Sequence, residues 1–194
     1  MIIKELQLKI TNQINLINLI SMLNFVKAEK GTTEMIEAVN QASSIIDLYP
    51  EIFPHLYQQG FKLEKYIEKG GMILQDGVVI TFGKYKSHGR MSKNATTYKK
   101  RGDFILHQIA SNHSKSNASK EVLDKFVEYC KSQHAENLFL TVRAFNYRAV
   151  LFYERYGFVK DSDITWFSKK DGIINGIVYR LRLVADKNIE NVCI

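Results

Sequence analysis

The residues whose types could carry chemistry are concentrated between Phe104 and Phe158. Within this region Asn146 and Tyr153 are seven residues apart, which is two helical turns, so their side chains lie on nearly the same face of a predicted helix. An asparagine at a helix start can cap the helix and also face a binding slot. A tyrosine hydroxyl can donate a proton, as a general acid must. The alternative is that Tyr153 and its aromatic neighbours only cover a sheet.

Alternating strand and helix patterns position these two residues. The periodicity predicts strand over Phe104 to Ala110, polar loop over Ser111 to Ser119, helix over Lys120 to Lys131, strand over Leu138 to Val142 and helix over Tyr147 to Tyr156. Gly157 then ends the helix at the position where left-handed backbone is common. These elements therefore predict an α/β fold around a sheet.

The flanking sequence extends this sheet on both sides. The predicted elements are a strand over Ile2 to Ile10, a helix capped by Thr11 or Asn12, a helix over Thr33 to Leu48, strands over Met72 to Leu74 and Val78 to Phe82, and strands over Phe158 to Phe167 and Gly176 to Val184. Asp76-Gly77 suits a tight type I′ turn, so the second and third of these strands form a hairpin.

Eight positions after the polar loop resemble the second signature of the GNAT superfamily of acyl-CoA N-acyltransferases, at the family's spacing. They are Leu140, Val142, Asn146, Ala149, Phe152, Tyr153, Gly157 and Phe158. The resemblance implies an α/β (α+β) fold with a mixed, mostly antiparallel sheet, a splayed central pair of strands and flanking helices. It implies one domain over residues 1–194, with an N-terminal strand and helices over 1–70, an acyl-CoA-binding core over 71–184 and a short tail over 185–194.

The resemblance also implies acetyl-CoA as the acyl donor. A splayed strand pair leaves unpaired backbone groups, between which the pantetheine arm can lie as a pseudo-strand. In the role that the family implies, Tyr153 donates its proton to the leaving thiolate. Two groups of residues are expected to contact the donor. Ile109 and Ser111 lie around the end of the strand that precedes the polar loop, and Asn146, Ala149 and Phe152 lie at the start of, or within, the helix over Tyr147 to Tyr156.

The loop that would hold the donor's diphosphate departs from the family's Arg/Gln-x-x-Gly-x-Gly/Ala pattern. Aligning the apolar residues of the next helix gives Ser114-x-x-Asn117-x-Ser119, and a shift of one residue gives Lys115-x-x-Ala118-x-Lys120. Both registers lack the glycines, but asparagine reaches left-handed backbone angles and small side chains keep the backbone approachable. We therefore expect backbone donors and lysines to bind the diphosphate across Ser114, Lys115, Ser116, Asn117, Ala118, Ser119 and Lys120. The alternative is a helix that Ser116 or Ser119 merely caps.

Two residues before the loop are candidates for the base that deprotonates an attacking ammonium. Asp103 falls where several family members carry a glutamate base, and His107 titrates near neutral pH. Asp103, Ile105, His107 and Ile109 share one face of the predicted strand. Two alternatives stay open, namely a chain of water molecules as the base and a buried, hydrogen-bonded His107.

A basic segment accounts for the whole net charge of +7, which comes from 27 Lys and Arg against 20 Asp and Glu. It contains no acidic residue, and its basic residues are Lys84, Lys86, Arg90, Lys93, Lys99, Lys100 and Arg101. Interleaved Tyr85 and Tyr98 suit base stacking beside phosphate contacts. The segment therefore favours an anionic acceptor or nucleic acid, with Arg143 as a further contact. The alternative is a solvated loop that only maintains solubility.

Composition excludes several other classes. Two cysteines make neither a disulfide framework nor a metal site, so no metal is expected and a cytoplasmic location is inferred. The longest apolar run, over Ile14 to Val26, contains three asparagines and is too short to span a bilayer, so neither a membrane segment nor a signal peptide is expected. The sequence does not indicate an oligomeric state.

Three hypotheses about function follow. The first is an N-acyltransferase that moves an acetyl group from acetyl-CoA to an amine. The second is a GNAT-fold enzyme that modifies a base in DNA or RNA. The third is a non-catalytic binding module, which the missing glycines favour, whereas the pattern from Asn146 to Phe158 favours the first two.

Overall fold

The computed structural model describes residues 6–7, 10–11, 14, 18, 23–50, 52, 62–168 and 172–183. They form a mixed α/β fold with a mostly antiparallel sheet and flanking helices, as the sequence predicts. The helices are α1 (Thr33–Ile46), α2 (Leu63–Glu68), α3 (Ala118–Ser132) and α4 (Tyr147–Tyr156). The strands are β1 (Met72–Gln75), β2 (Val78–Lys84), β3 (Gly89–Arg90), β4 (Tyr98–Lys99), β5 (Phe104–Ser111), β6 (Asn137–Arg143), β7 (Val159–Ser168) and β8 (Gly172–Arg182).

The chain divides into two compact units. The first comprises Met1–Gly83 and Leu106–Ser132, and the second comprises Lys84–Ile105 and Gln133–Ile194. Each unit is therefore discontinuous in sequence, and β5 begins in the second unit and ends in the first. The single domain with its core over 71–184 and the splay of the central strands stay predictions.

In the first unit the strands are ordered β1, β2, β5. β1 and β2 pair as an antiparallel hairpin, and its turn residues Asp76 and Gly77 have φ angles of 51° and 70°. Positive φ at both positions is what a type I′ turn requires, so the predicted hairpin is confirmed. The helices α1 and α2 contribute apolar side chains to a buried cluster with the sheet, which includes Met35, Ile46, Leu63, Met72 and Val79.

In the second unit the strands are ordered β6, β8, β7, and both pairs are antiparallel. The register of β7 on β8 shifts between Lys160 and Ser162, so Asp161 is the extra residue of a β-bulge. The helix α4 is capped at both ends. The side chain of Asn146 accepts a hydrogen bond from the Ala149 N–H, and Gly157 has a φ of 107°. The predicted caps of this helix are therefore confirmed.

The predicted N-terminal strand over Ile2 to Ile10 is wrong wherever the structure describes that segment. Leu6, Gln7 and Ile10 are helical, and the remaining positions of the predicted strand lie outside the described residues. Leu6, Ile10 and Ile14 recur every four residues, which is the spacing of one helix face, and this periodicity outweighs the β-branched residues at the start. The sequence Lys170-Asp171-Gly172 is typical of a turn, but Lys170 and Asp171 lie outside the described residues.

Gly176 is a close-packed position in β8. A Cβ atom there would lie 2.3 Å from Cζ3 of Trp166 and 2.9 Å from the carbonyl oxygen of Val142. Because one of these neighbours is backbone, we expect Gly176→Ala to lower the free energy of unfolding by about 2 kcal/mol. Urea unfolding followed by circular dichroism measures this change.

Gly89→Ala is the matched control for this substitution. Its added Cβ would meet only the flexible end of the Lys99 side chain, 3.4 Å away. Equal losses in the two variants would mean that loss of glycine alone, rather than steric overlap, destabilises the sheet.

Candidate functional site

The loop before α3 adopts a backbone that normally needs glycine. Asn117 has a φ of 62° and immediately precedes α3, which begins at Ala118. Asparagine tolerates this left-handed region because its short side chain can hydrogen-bond locally. In the first sequence register, Asn117 stands at the place of the family's first glycine. In the shifted register that place would fall on Ala118, which is helical and buried.

The other predicted loop residues lie on the surface and around the start of α3. Ser114, Lys115 and Ser116 are exposed, and no acidic residue occurs from Ser111 to Lys120. The two lysines are paired with acidic residues further along the helix, Lys115 with Glu121 at 2.7 Å and Lys120 with Asp124 at 2.8 Å. The hydrogen bond that Lys115 donates to the Glu121 carboxylate raises the pKa of Lys115. Ser119 is half-buried in the first turn of α3.

This loop is held in place by residues of the first unit that the sequence alone did not identify. The Asn112 N–H donates to the Gly77 carbonyl at 2.9 Å, and the Ser114 N–H donates to Oδ1 of Asn112 at 3.0 Å. The Tyr49 hydroxyl donates to the carbonyl of Ser111. The Asp76-Gly77 turn and the contact between Asn112 and Ser114 are local, whereas the contacts of Gly77 with Asn112 and of Tyr49 with Ser111 join distant parts of the chain.

The hairpin turn approaches the loop so closely that it leaves no space for a side chain. A Cβ atom on Gly77 would lie 2.2 Å from Oδ1 of Asn112 and 2.6 Å from Oγ of Ser114. Gly77 therefore supports the loop through its missing side chain as well as through its positive φ.

Buried and more exposed side chains alternate along most of β5, as predicted. Phe104, Leu106 and Gln108 are buried, whereas His107 is exposed and Ile109 is half-buried. The His107 ring contacts the Tyr66 ring edge to face, with centroids 5.4 Å apart. Packing around the imidazole lowers the pKa of His107 through desolvation, so the neutral form, which can accept a proton, is favoured at neutral pH.

Asp103 has a structural role that argues against the predicted role as a base. Its side chain is 1% exposed. Oδ1 accepts hydrogen bonds from the N–H groups of Glu136 and Asn137 at 3.0 and 2.9 Å. Oδ2 accepts hydrogen bonds from the Lys100 N–H at 2.7 Å and from Nδ2 of Asn137 at 3.2 Å. Because donors within the second unit already occupy both oxygens, the carboxylate is poorly placed to take a proton from an amine.

In the second unit, α4 buries Tyr153 and leaves its flanking side chains more exposed. Tyr153 is 7% exposed, and its ring lies 5.5 Å from the rings of both Phe152 and Phe158. Burial raises the pKa of the Tyr153 hydroxyl, so this group stays protonated and able to donate. Asn146 caps the same helix, and Ala149 supplies the N–H that its side chain accepts at 3.2 Å.

The basic segment forms a short two-stranded ribbon in the second unit rather than only a loop. In this ribbon Gly89 pairs with Lys99 and Arg90 pairs with Tyr98. Several of its basic groups lie over aromatic rings, Lys84 over Phe104, Lys99 over Tyr85 and Arg90 over Tyr98. Lys100 forms an exposed ion pair with Glu136 at 2.6 Å. Lys86, Lys93 and Arg101 are exposed.

Arg143 ends β6 outside this ribbon, and its guanidinium lies 5.7 Å from the centre of the Phe145 ring. Across the described ranges, no group of three or more His, Cys, Asp or Glu side chains could hold a metal ion. In the same part of the chain, no helix is both long and apolar enough to cross a membrane.

The structural role of Asp103 can be tested by stability. We expect Asp103→Asn to lower the free energy of unfolding by about 3 kcal/mol, because the new amide N–H₂ would face donors that need an acceptor. Glu136→Gln is the control, since it removes only an exposed ion pair and should cost less than about 1 kcal/mol. If the Asp103 variant is as stable as the parent protein, the hydrogen-bond network does not contribute as described.

Comparison with known proteins agrees with this geometry. The sequence matches the family described as "Acetyltransferase (GNAT) domain" over residues 76–173, about half of the chain. No curated protein matches the sequence significantly.

Solved structures share the fold at low sequence identity. A GNAT-family protein from Desulfovibrio desulfuricans is 17% identical, with a TM-score of 0.57 over 76% of this chain and 94% of that chain. Naa20 from Chaetomium thermophilum, solved with a bisubstrate analogue, is 13% identical, with a TM-score of 0.58 over 75% and 82%. The ribosomal-protein-S18-alanine N-acetyltransferase of Escherichia coli is 15% identical, with a TM-score of 0.50 over 84% and 96%.

These likenesses show the fold, and the family match covers the region that contains the loop, β6 and α4. The signature from Leu140 to Phe158 lies within that match. The chain therefore belongs to the GNAT acetyltransferase family.

Proposed function

We propose that this protein is an N-acyltransferase that transfers an acetyl group from acetyl-CoA to an amine of an acceptor. The observation that carries the proposal is the left-handed Asn117 directly before α3, in a loop without acidic residues. This backbone supplies the conformation that the family obtains from glycine. The loop therefore fits a diphosphate in spite of its divergent sequence.

The residues proposed to hold the donor are those that the family resemblance implies. In the first unit they are Ile109, Ser111 and the loop from Ser114 to Lys120. In the second unit they are Asn146, Ala149 and Phe152. The N–H groups at the start of α3 favour negative charge, and Lys115 and Lys120 can exchange their carboxylate partners for phosphate oxygens.

Catalysis in this proposal consists of positioning and two proton transfers. The amine nitrogen attacks the thioester carbonyl carbon, the C–N bond forms and the C–S bond breaks. Tyr153 gives its hydroxyl proton to the leaving thiolate, a role that its raised pKa supports. The proton of the attacking amine goes to His107 or to water, and the lowered pKa of His107 keeps it neutral for this purpose.

The chemical class of the acceptor is also part of this proposal. The basic segment and Arg143 favour an acceptor that carries negative charge in addition to its amine.

Titration with acetyl-CoA tests the proposal directly. We expect calorimetric binding with a dissociation constant between about 1 μM and 1 mM, which is the usual range for enzyme substrates. The acetyl thioester of N-acetylcysteamine lacks the diphosphate and should bind far more weakly. No heat and no thermal stabilisation at several millimolar acetyl-CoA would contradict the proposal and leave a non-catalytic binding module.

Gly77→Ala tests the loop itself. The added methyl overlaps Asn112 and Ser114, so we expect acetyl-CoA affinity to fall about tenfold or more while the protein stays folded. Calorimetry measures this loss. Gly31→Ala is the matched control, because Gly31 also has a positive φ of 83° but has nothing within 4 Å of the added Cβ. A similar loss of affinity in both variants would assign the effect to general backbone strain.

Tyr153→Phe tests the general acid. Once an acceptor is identified, we expect kcat to fall about 10²-fold or more with KM nearly unchanged, because proton donation stabilises only the transition state. Burial raises the pKa of Tyr153, so its deprotonation should not lower kcat of the parent enzyme up to about pH 10. Thiol release measured across pH checks both expectations. A variant as fast as the parent would assign Tyr153 to packing alone.

A further inference from the structure

The basic segment, Lys84 to Arg101, is a charged surface that the acyl-transfer chemistry does not require. Two buried carboxylates and a serine pair anchor it within the second unit. Asp103 accepts the Lys100 N–H at one end, as described above. In the middle, Oδ1 of Asp161 accepts hydrogen bonds from Oγ1 of Thr96 at 2.9 Å and from the Thr97 N–H at 3.0 Å. The segment is therefore attached to the second unit at several points.

The β-bulge in β7 makes this attachment possible. Asp161 is the extra residue of the bulge and is 8% exposed, and the next residue, Ser162, is hydrogen-bonded through its hydroxyl to that of Ser92 at 2.9 Å. Oδ1 of Asp161 is thus occupied by donors of the segment, whereas Asp103 accepts one hydrogen bond from Lys100 in the segment and three from Glu136 and Asn137. Both carboxylates are buried.

The outer surface combines cations with aromatic rings. Arg90 and Tyr98 are paired across the ribbon, and the guanidinium lies 4.8 Å from the centre of the Tyr98 ring, which is 56% exposed. Lys86, Lys93 and Arg101 add exposed positive charge, and the segment contains no acidic residue. Phosphates and flat bases are the groups that such a surface recognises.

We propose that the basic segment binds single-stranded nucleic acid. Lys86, Lys93 and Arg101 neutralise backbone phosphates, and a base stacks at Tyr98 beside the Arg90 guanidinium. The exposed aromatic ring favours this partner over an acidic protein, which needs charge only. The exposed Tyr98 ring favours a single strand over a duplex, because the bases of a single strand are free to stack on an aromatic side chain. The bound strand can carry the negative charge proposed above for the acceptor, and its binding needs no acyl donor.

Binding of a labelled oligothymidine of about 20 nucleotides, followed by fluorescence anisotropy, tests the proposal. We expect affinity to fall steeply between about 50 and 200 mM NaCl, because bound phosphates release counterions. The triple variant K86Q/K93Q/R101Q should reduce the slope of log K against log salt by about 2, since each single-strand phosphate contact contributes about 0.7. Tyr98→Leu should weaken binding about tenfold without changing the slope. Oligouridine of the same length distinguishes RNA from DNA as the preferred strand.

The variant K30Q/K65Q/K69Q is the matched control, because it removes the same charge from exposed positions of the first unit. It should keep the affinity and slope of the parent protein, and circular dichroism should show both triple variants folded. Equal losses in the two triple variants would overturn the proposal in favour of net charge alone. Binding of polyglutamate without binding of either oligonucleotide would overturn it in favour of an acidic protein. A duplex that binds as well as the single strand, with Tyr98→Leu neutral, would also overturn it.

Discussion

The carboxylate of Asp103 is a buried charge, and much of the second unit is arranged around the groups that compensate it. Its two oxygens accept four hydrogen bonds, which come from Lys100, Glu136 and both the backbone and the side chain of Asn137. A charge with 1% exposure is tolerated only when such partners replace water. The same four bonds join the end of the basic segment to the start of β6. One residue therefore determines where a surface ribbon is attached and where a central strand begins.

The bulge at Asp161 applies the same principle to the middle of the ribbon. An extra residue in β7 turns a carboxylate inward, and the threonines at 96 and 97 supply its donors. Each buried carboxylate thus attaches the basic segment to other residues of the second unit. The seven basic residues that account for the net charge of +7 lie in this anchored segment.

The loop of the first unit that is proposed to bind the diphosphate has left-handed backbone at a residue other than glycine. Glycines are common in anion-binding loops because they reach positive φ and let the ligand approach the backbone. Here Asn117 has the positive φ. The hairpin turn packs closely against the loop because Gly77 has no side chain. These two features are the ones on which the proposed diphosphate binding depends.

Local signals in the sequence were sufficient wherever the structure depends on neighbouring residues. The Asp76-Gly77 turn, the Asn146 cap and the Gly157 end of α4 involve residues at most a few positions apart, and all three are confirmed. The hydrophobic patterns of β5, α3 and β6 likewise predicted these elements, because α3 buries one face and β6 is a short apolar run that is buried on both faces. The eight-position signature was enough to identify the family.

Tertiary structure alone decided what the polar side chains do. Asp103 has the residue type and position of a base, but its partners Glu136 and Asn137 are 33 and 34 positions away, so no local pattern could reveal that it is saturated. The support of the loop by Gly77 and the attachment of the basic segment to Asp161 are equally non-local. Short-range backbone geometry follows from a residue and its neighbours, whereas the fate of a buried charge depends on which distant donors the fold brings to it.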